Sequence, residues 1–171
     1  MTRRGFLATS AAMLGLGGAA AAESFEISRS KAEWQAMLSD LEYKVMREEA
    51  TERAYTSPLN DEKRAGTFLC KGCDLPLYAS ETKYDSGTGW PSFWRTAAPG
   101  LVEYNAPDFL GRVECHCAGC GGHLGHCFDD GPQKSAVLPA GDSLPADDFK
   151  CEFENRLPRY CVNGLALRHK K

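Results

Sequence analysis

The sequence predicts a mainly β fold of short antiparallel strands, preceded by short helices. Three features predict it. Short apolar or alternating runs recur after Gly66, no later segment has the length and period of a long helix, and two Cys-x-x-C pairs stand 43 residues apart. Cysteine pairs so far apart are typical of a metal site that joins two distant hairpins rather than of a free-standing zinc finger.

Length and charge narrow the class of protein. The chain has 171 residues, which suits one domain with its own core. Lys and Arg number 20 against 23 Asp and Glu, so the net charge is −3 and no basic field for nucleic acid is expected. A hydrophobic content of 43% excludes a chain disordered throughout.

The first 22 residues have the composition of a targeting segment and are excluded from the fold. Arg3 and Arg4 precede an uncharged stretch, residues 6–22, that is rich in alanine and glycine and ends in three alanines before Glu23. The segment resembles a twin-arginine export signal, which implies a periplasmic protein exported after folding. The alternative is an uncleaved membrane anchor, although the stretch is shorter than a spanning helix requires. We expect no stable membrane insertion after the signal is removed.

The folded domain is predicted over residues 23–171, beginning with a helical lead-in over 23–66. Ser30 and Glu33 have the spacing of a capping box, and Ser39 and Glu42 repeat it. Apolar residues then follow at helical intervals; they are Trp34, Met37, Leu38, Leu41, Tyr43 and Met46. These patterns predict two short helices that pack on a core.

Beyond Gly66 the pattern is that of short strands and turns. The predicted strands are Thr67–Leu69 running into Cys70, Leu75–Tyr78, Leu101–Tyr104, Arg112–His116, Arg159–Val162 and the following Leu165–Leu167. Residues 87–91 are too rich in glycine and proline for a regular element. Residues 132–157 are predicted as an inserted surface loop.

The two Cys-x-x-C pairs indicate a structural zinc site. Cys70 and Cys73 form one pair, Cys117 and Cys120 the other, and four thiolates provide the tetrahedral sulfur site that zinc prefers. A catalytic zinc is excluded because no position remains for water. Two disulfides are the alternative, but such small loops gain little stabilisation from closure.

Among the other cysteines, Cys161 has the best surroundings for a nucleophile. On a strand, Arg159 and Asn163 share its face, so a cation and an amide lie beside the thiol. His123 and His126 follow the second cysteine pair and are available for acid–base chemistry, because the metal site is already full; structural histidines are the alternative. Trp90 stands in the rigid turn, where core filling is the alternative to a functional role.

Together these motifs resemble the methionine sulfoxide reductases of type B, from about Tyr43 to Leu167. The matching stretches are Thr51–Arg53, the first cysteine pair, Lys83–Phe93, the second cysteine pair, His123–His126, Asp130–Pro132 and Arg159–Asn163. Several independent motifs in the same order make a chance match improbable.

The resemblance implies two packed antiparallel β-sheets (a β-tent), short N-terminal helices and one structural zinc distal to the active site. It implies thiol-dependent reduction of methionine R-sulfoxide, free or in proteins, through a sulfenic acid on Cys161. His123, His126 and Asn163 are then the expected proton donors, and Arg159 favours the thiolate. Trp90 and Phe93 would form an apolar wall for the S-methyl group. A thioredoxin-like protein or another thiol is the implied reductant.

Two departures from the family pattern concern the return of Cys161 to its reduced state. Thr88 stands where many members carry a resolving cysteine, and 26 residues, including Cys151, separate Pro132 from Arg159. We therefore expect either that Cys151 resolves the sulfenic acid or that an external thiol reduces it directly. Cys115 and Cys127 are expected as packing residues or as a structural pair.

Two other kinds of protein fit part of the pattern. A zinc-stabilised binding module without catalysis would leave the Cys161 thiol with ordinary reactivity, and it gives no reason for Arg159, Asn163 and Trp90 to occur together. A thiol–disulfide oxidoreductase would use the Cys-x-x-C pairs themselves, but it requires a thioredoxin-like βαβ setting, which the sequence lacks.

Overall fold

The computed structural model describes residues 25–138 and 156–171. Three helices span Lys31–Met37 (α1), Asp40–Glu48 (α2) and Lys134–Val137 (α3). The nine strands are Thr67–Cys70 (β1), Pro76–Ala79 (β2), Lys83–Tyr84 (β3), Ser92–Phe93 (β4), Val102–Tyr104 (β5), Val113–Cys117 (β6), His123–Phe128 (β7), Arg159–Val162 (β8) and Leu167–Lys170 (β9). The proposed signal, Cys151 and most of the predicted loop lie outside the described residues. In the part that is described, no helix combines the length and apolar composition needed to cross a membrane.

Both predicted helices begin where the capping boxes place them. The Ser30 hydroxyl accepts from the Glu33 N–H at 3.3 Å, while the Ser30 N–H donates to the Glu33 carboxylate at 2.7 Å. Ser39 and Glu42 repeat this exchange at α2. The predicted apolar face is interrupted, however, because the chain leaves the helical conformation after α1. Of the residues on that face, Trp34 is buried, whereas Met37 and Leu41 are exposed.

The strands form two antiparallel sheets. One has three strands in the order β2-β1-β9, and the other has six in the order β3-β4-β8-β7-β6-β5. The predictions of β1, β2, β5, β6 and β8 are confirmed within two residues. The predicted strand over Leu165–Leu167 is wrong: Gly164–Ala166 is a 3₁₀ turn, and β9 begins only at Leu167.

The core lies between the two sheets. Tyr78 of β2 stacks on Phe93 of β4 with ring centroids 4.3 Å apart, and Phe68 of β1 packs edge-on against the same Phe93. All three side chains are fully buried. Trp34 and Met46 extend this core toward the helices, so the lead-in covers one end of the sheets.

The two ends of the predicted loop at 132–157 contact each other. Residues Lys134–Val137 form a single helical turn, which the sequence did not predict. Gln133 forms an antiparallel bridge with Arg156. The two ends of the insertion are therefore held side by side, immediately before β8.

Candidate active site and metal centre

A row of polar side chains crosses the face of the six-stranded sheet that points away from the core. Directly opposed residues share a face of a sheet, and the register aligns Ser92 of β4 with Cys161 of β8, and Cys161 with His126 of β7. His126 is in turn opposite Glu114 of β6. The alternate positions, such as Phe93 and Tyr160, face the core. Cys161 therefore lies at the centre of a polar surface.

The Cys161 thiol is partly buried and has two partners that favour its ionisation. Burial raises the pKa of this thiol above its ordinary value, while a hydrogen bond with Thr88 and the nearby Arg159 guanidinium oppose that shift. The Thr88 hydroxyl oxygen lies 3.8 Å from the Cys161 sulfur. The structure thus brings Arg159 to Cys161, as the strand alternation predicted.

Arg159 is held as a fixed cation. Its Nε donates to Oδ1 of Asp130 at 2.6 Å and its Nη2 donates to Oδ2 at 2.9 Å, a bidentate pair that restricts rotation. The guanidinium also stacks over the Phe128 ring at 4.3 Å. Hydrogen bonding to Arg159 lowers the pKa of Asp130 below its ordinary value. The sequence did not assign this role to Asp130, because the two residues lie 29 positions apart.

The two histidines have different environments. His126 is partly buried, and desolvation lowers its pKa, so the imidazole is neutral near pH 7. His123 is 3% exposed, and its Nδ1 lies 2.6 Å from Oε1 of Glu114. The rings of the two histidines meet edge to face at 5.7 Å. His126 therefore faces Cys161 directly, and Glu114 orients the histidine behind it.

Burial alone would raise the pKa of the Glu114 carboxyl, but the hydrogen bond and the charge of His123 lower it overall. Glu114 is consequently an ionised partner for His123. The sequence analysis missed it, since its spacing to His123 crosses the β6–β7 connection and shows no local pattern.

Asn163 differs from its expected role as a proton donor to substrate. It is 3% exposed, its Nδ2 donates to the carbonyl of Leu124 at 3.0 Å, and its Oδ1 accepts from the N–H of Glu52 at 2.9 Å. Because both polar atoms of the amide are engaged by backbone, Asn163 fixes the end of β8 and holds Glu52 in place.

Trp90 lies beside the site, and Phe93 does not. The Trp90 indole N–H donates to the carbonyl of Glu52 at 3.0 Å, which fixes a partly exposed ring in the turn before β4. Phe93 is fully buried and stacks on Tyr78. The expectation that Phe93 lines the substrate wall is therefore corrected, because its position on β4 points it into the core.

Glu52 is a second residue whose role the sequence left unassigned. Besides its backbone bonds to Asn163 and Trp90, its carboxylate accepts from the N–H of Gly164 at 2.5 Å and of Leu165 at 3.1 Å. Desolvation raises the pKa of this carboxyl, and those two N–H groups oppose the rise. Glu52 thus joins the turn after β8 to the segment after α2.

The four cysteines predicted as metal ligands converge. All four sulfurs lie within 4.8 Å of one another; they belong to Cys70, Cys73, Cys117 and Cys120. The sulfurs of Cys70 and Cys120 are 3.7 Å apart, and those of Cys73 and Cys117 are 3.5 Å apart. Tetrahedral Zn–S bonds of about 2.3 Å place the sulfurs about 3.8 Å apart, so the spacing of this cluster fits a metal ion with four sulfur ligands. The alternative of two disulfides is wrong, because all four thiols are unlinked.

The four-cysteine cluster links the two sheets. Cys70 ends β1 of the three-stranded sheet, while Cys117 ends β6 of the six-stranded sheet. Cys115 and Cys127, which the sequence predicts as packing residues or as a structural pair, are both buried on the core side of the six-stranded sheet, away from the face that carries Cys161. Burial raises the pKa of Cys115 well above its ordinary value.

Comparison with known proteins agrees with this site. A family model described as the SelR domain matches residues 38–138, more than half of the chain. A protein of Alteromonas mediterranea named peptide methionine sulfoxide reductase MsrB is 41% identical over 145 residues, which cover 84% of this chain and 87% of that protein. Proteins of the same name from Leptospira interrogans and Agrobacterium fabrum are 33% and 36% identical; they cover 86% and 83% of this chain, and 98% and 91% of their own lengths.

Proposed function

The chain belongs to the MsrB family of peptide methionine sulfoxide reductases, and from this we propose that it reduces the R epimer of methionine sulfoxide with Cys161 as the nucleophile. The observation that carries the proposal is the position of Cys161, which stands at the centre of the polar row between a fixed cation and a histidine. Peptide-bound and free methionine sulfoxide are both within the proposed substrate class.

The reaction transfers one oxygen atom from sulfur to sulfur. The Cys161 thiolate attacks the sulfoxide sulfur and forms an S–S bond while the sulfoxide oxygen gains a proton. The oxygen then moves to the Cys161 sulfur as the S–S bond and the S–O bond to methionine break. Methionine leaves reduced by two electrons, and Cys161 is left as a sulfenic acid. Two equivalents of an external thiol then regenerate Cys161, releasing a disulfide and water.

The surrounding residues supply charge and an apolar surface for this step. Arg159 stabilises the thiolate, and protonated His126 donates to the sulfoxide oxygen as negative charge develops there. The Trp90 ring offers an apolar face to the S-methyl group, a contact that sulfur makes favourably with aromatic rings. Since Asp130 fixes Arg159 and Glu52 fixes Trp90, these groups are in place before the substrate binds.

We propose zinc as the ion held by the four cysteines. Four thiolates at tetrahedral separation are the donor set that zinc prefers, and they leave no open position. When bound, the ion supplies structural stability only. The same argument opposes a thiol–disulfide oxidoreductase that would use these thiols for exchange.

We also propose that the reductant is a thioredoxin-like protein or another thiol, and that Cys151 can resolve the sulfenic acid. Support for the second point is that Thr88, which has no thiol, occupies the contact position beside Cys161, so any intramolecular resolving thiol has to come from elsewhere in the chain. A Cys151→Ser variant of the full chain tests it. If that variant still forms one intramolecular disulfide per turnover, Cys151 is not the resolving residue.

Export to the periplasm through a twin-arginine signal is a further part of the proposal. It is supported by Arg3 and Arg4 ahead of an uncharged, alanine-rich stretch. Replacing both arginines by lysine in the full chain, followed by fractionation of the bacterial cell, tests it. Retention of the variant in the cytoplasm is expected, and unchanged export contradicts the proposed route.

The activity itself is tested with dithiothreitol and the two epimers of a methionine sulfoxide peptide, assayed separately. We expect turnover of the R epimer alone, abolished by Cys161→Ser and retained by Cys115→Ala, a matched change of a cysteine on the core face. Absence of turnover with either epimer, in folded protein that holds zinc, would instead favour the non-catalytic binding module.

A further inference from the structure

Three hydroxyl groups form a continuous line from the Cys161 sulfur into the interior. Thr88 Oγ1 lies 3.8 Å from the Cys161 sulfur, Ser86 Oγ lies 2.8 Å from Thr88 Oγ1, and Ser92 Oγ lies 2.7 Å from Ser86 Oγ. Ser92 Oγ in turn donates to the carbonyl of Trp90 at 3.1 Å. Sulfur is a larger atom than oxygen, which accounts for the longer first distance.

The end of this line fixes the direction of every hydrogen bond along it. A carbonyl only accepts, so the Ser92 proton is committed to Trp90. Each hydroxyl has one proton; Ser92 must therefore accept from Ser86, Ser86 must accept from Thr88, and Thr88 must accept from the Cys161 S–H. The line is fully satisfied only when Cys161 is a protonated thiol.

A thiolate reverses this requirement, because it accepts hydrogen bonds and cannot donate one. Thr88 then donates to the sulfur, Ser86 donates to Thr88, and Ser92 donates to Ser86. The Trp90 carbonyl loses its bond from Ser92, which is fully buried. Charging Cys161 thus loses one neutral hydrogen bond at the inner end and converts the weak S–H bond to Thr88 into a charge-assisted bond from Thr88 to the sulfur.

We propose that Thr88, Ser86 and Ser92 form a hydroxyl relay, a line of hydrogen bonds whose direction reverses when Cys161 loses its proton. The loss of the bond from Ser92 to the Trp90 carbonyl disfavours the reversal, and the bond from Thr88 to the thiolate favours it. The relay conducts no net proton; the thiol proton leaves to solvent or substrate, and the hydroxyls only rotate. The proposal rests on the proposed function for its significance, since a nucleophilic Cys161 is what the relay would control.

The relay acts together with the charged groups that face Cys161. Arg159 lies on the same strand with its partner Asp130, and His126 faces Cys161 from β7. Tyr84 of β3 lies close enough to Cys161 for ionised forms of the two groups to repel each other. Burial is the main reason that the pKa of Tyr84 is raised well above its ordinary value, so Tyr84 stays neutral. These groups are the same in every hydroxyl variant. The test therefore compares substitutions at the two ends of the hydroxyl line, which should shift the pKa of Cys161 in opposite directions.

The test measures the pH dependence of alkylation of Cys161 by iodoacetamide in the full chain, with the modified peptide quantified by mass spectrometry. Thr88→Val removes the donor to the thiolate, and we expect the pKa of Cys161 to rise by about one unit. In Ser92→Ala and in Ser86→Ala, Thr88 can donate to the thiolate without the loss of a bond from Ser92 to the Trp90 carbonyl. We therefore expect the pKa of Cys161 to fall by about half a unit in each variant. Thr88→Ser, which keeps the hydroxyl, should restore the original value.

Opposite shifts from the two ends of one line would not arise from a general disturbance of structure. If the serine variants raise the pKa as Thr88→Val does, or leave it unchanged, the relay is refuted. Ser86 is only partly buried, so Ser86→Ala gives a reading even if Ser92→Ala fails to fold. Alkylation needs no sulfoxide substrate, so this result is independent of whether the reductase activity is found.

Discussion

The backbone N–H of Glu52 donates to the side-chain Oδ1 of Asn163 at 2.9 Å, across 111 positions of the chain. This bond ties the segment that follows α2 to the residue that directly follows β8. The same segment holds the Trp90 indole through the Glu52 carbonyl. The end of β8, the Trp90 ring and the segment after α2 therefore share one point of attachment at Glu52.

Replacing Glu52 by Gln is expected to destabilise this attachment. The carboxylate offers one oxygen to Gly164 and one to Leu165, whereas an amide offers a single oxygen and turns its NH₂ group toward a backbone donor. A buried N–H left unsatisfied costs about 1–3 kcal/mol. Urea unfolding should show a loss of that size, with reduced kcat. Glu48→Gln, at the exposed end of α2, is the control and should change neither quantity.

Alanine at Gly125 should displace Cys161, the proposed nucleophile. Gly125 has φ +155°, and a Cβ there would lie 2.1 Å from the Cys161 carbonyl oxygen, so β7 and β8 must move apart. A misplacement of about 1 Å at a reacting group costs about 100-fold in rate, and we expect kcat/KM to fall by that order. Gly111→Ala is the control. It introduces backbone strain without a clash, because Gly111 has φ +76° and open space around it. Equal losses of activity in both variants would contradict this account.

Loss of the metal should unfold the domain rather than inactivate it selectively. Structural zinc in small domains contributes about 10–16 kcal/mol, which is as large as the whole stability of a typical domain. We expect Cys120→Ser to bind no zinc and to lose its cooperative thermal transition, measured by metal analysis and circular dichroism. A metal-free variant that keeps wild-type stability would show that the four thiols are not a structural centre.

The pH profile should report His126 and Cys161 acting with reversed protonation. Desolvation lowers the pKa of His126, and burial raises that of Cys161, so imidazolium and thiolate coexist only as a minor form. Its fraction is constant between the two pKa values and falls tenfold per pH unit outside them. We expect kcat/KM with dithiothreitol in excess to show a plateau with two falling limbs.

The variant His126→Asn should abolish the alkaline limb, because no imidazolium remains to be lost; the residual rate should then rise with pH until Cys161 is fully ionised. His169→Asn, a buried histidine on β9 outside the site, should keep both limbs. A variant of His126 with an unchanged profile would assign the proton to another donor.

The features that the sequence predicted are those that depend on neighbours along the chain. The capping boxes at Ser30 and Ser39 involve residues three positions apart, and the cysteine pairs close over one turn. Arg159 reaches Cys161 because a strand alternates with period two. Each of these relations is set by local backbone geometry, so one segment is enough to predict it.

The features that it did not predict depend on distant pairing or on very short elements. Strand β4 has two residues, too few for an alternation to show which one faces the core, and so the sequence alone predicts the wrong face for Phe93. Strand β7 contains a register shift at Gly125 that breaks the alternation of its histidines. The partners of Glu52 lie 38 positions away at Trp90 and 111–113 positions away at Asn163, Gly164 and Leu165, beyond any local pattern.

The strand order also constrains how the protein is made. Strand β9 pairs with β1 along its whole length, Thr67 opposite Lys170 and Cys70 opposite Leu167. During translation, β1 can pair with β2 early, but its second partner, β9, is made about 100 residues later, and such long-range pairing slows folding. Cys161 lies on the strand just before β9. A nascent chain consequently exposes one unpaired edge of β1 and the Cys70 thiol before Cys161 has been synthesised.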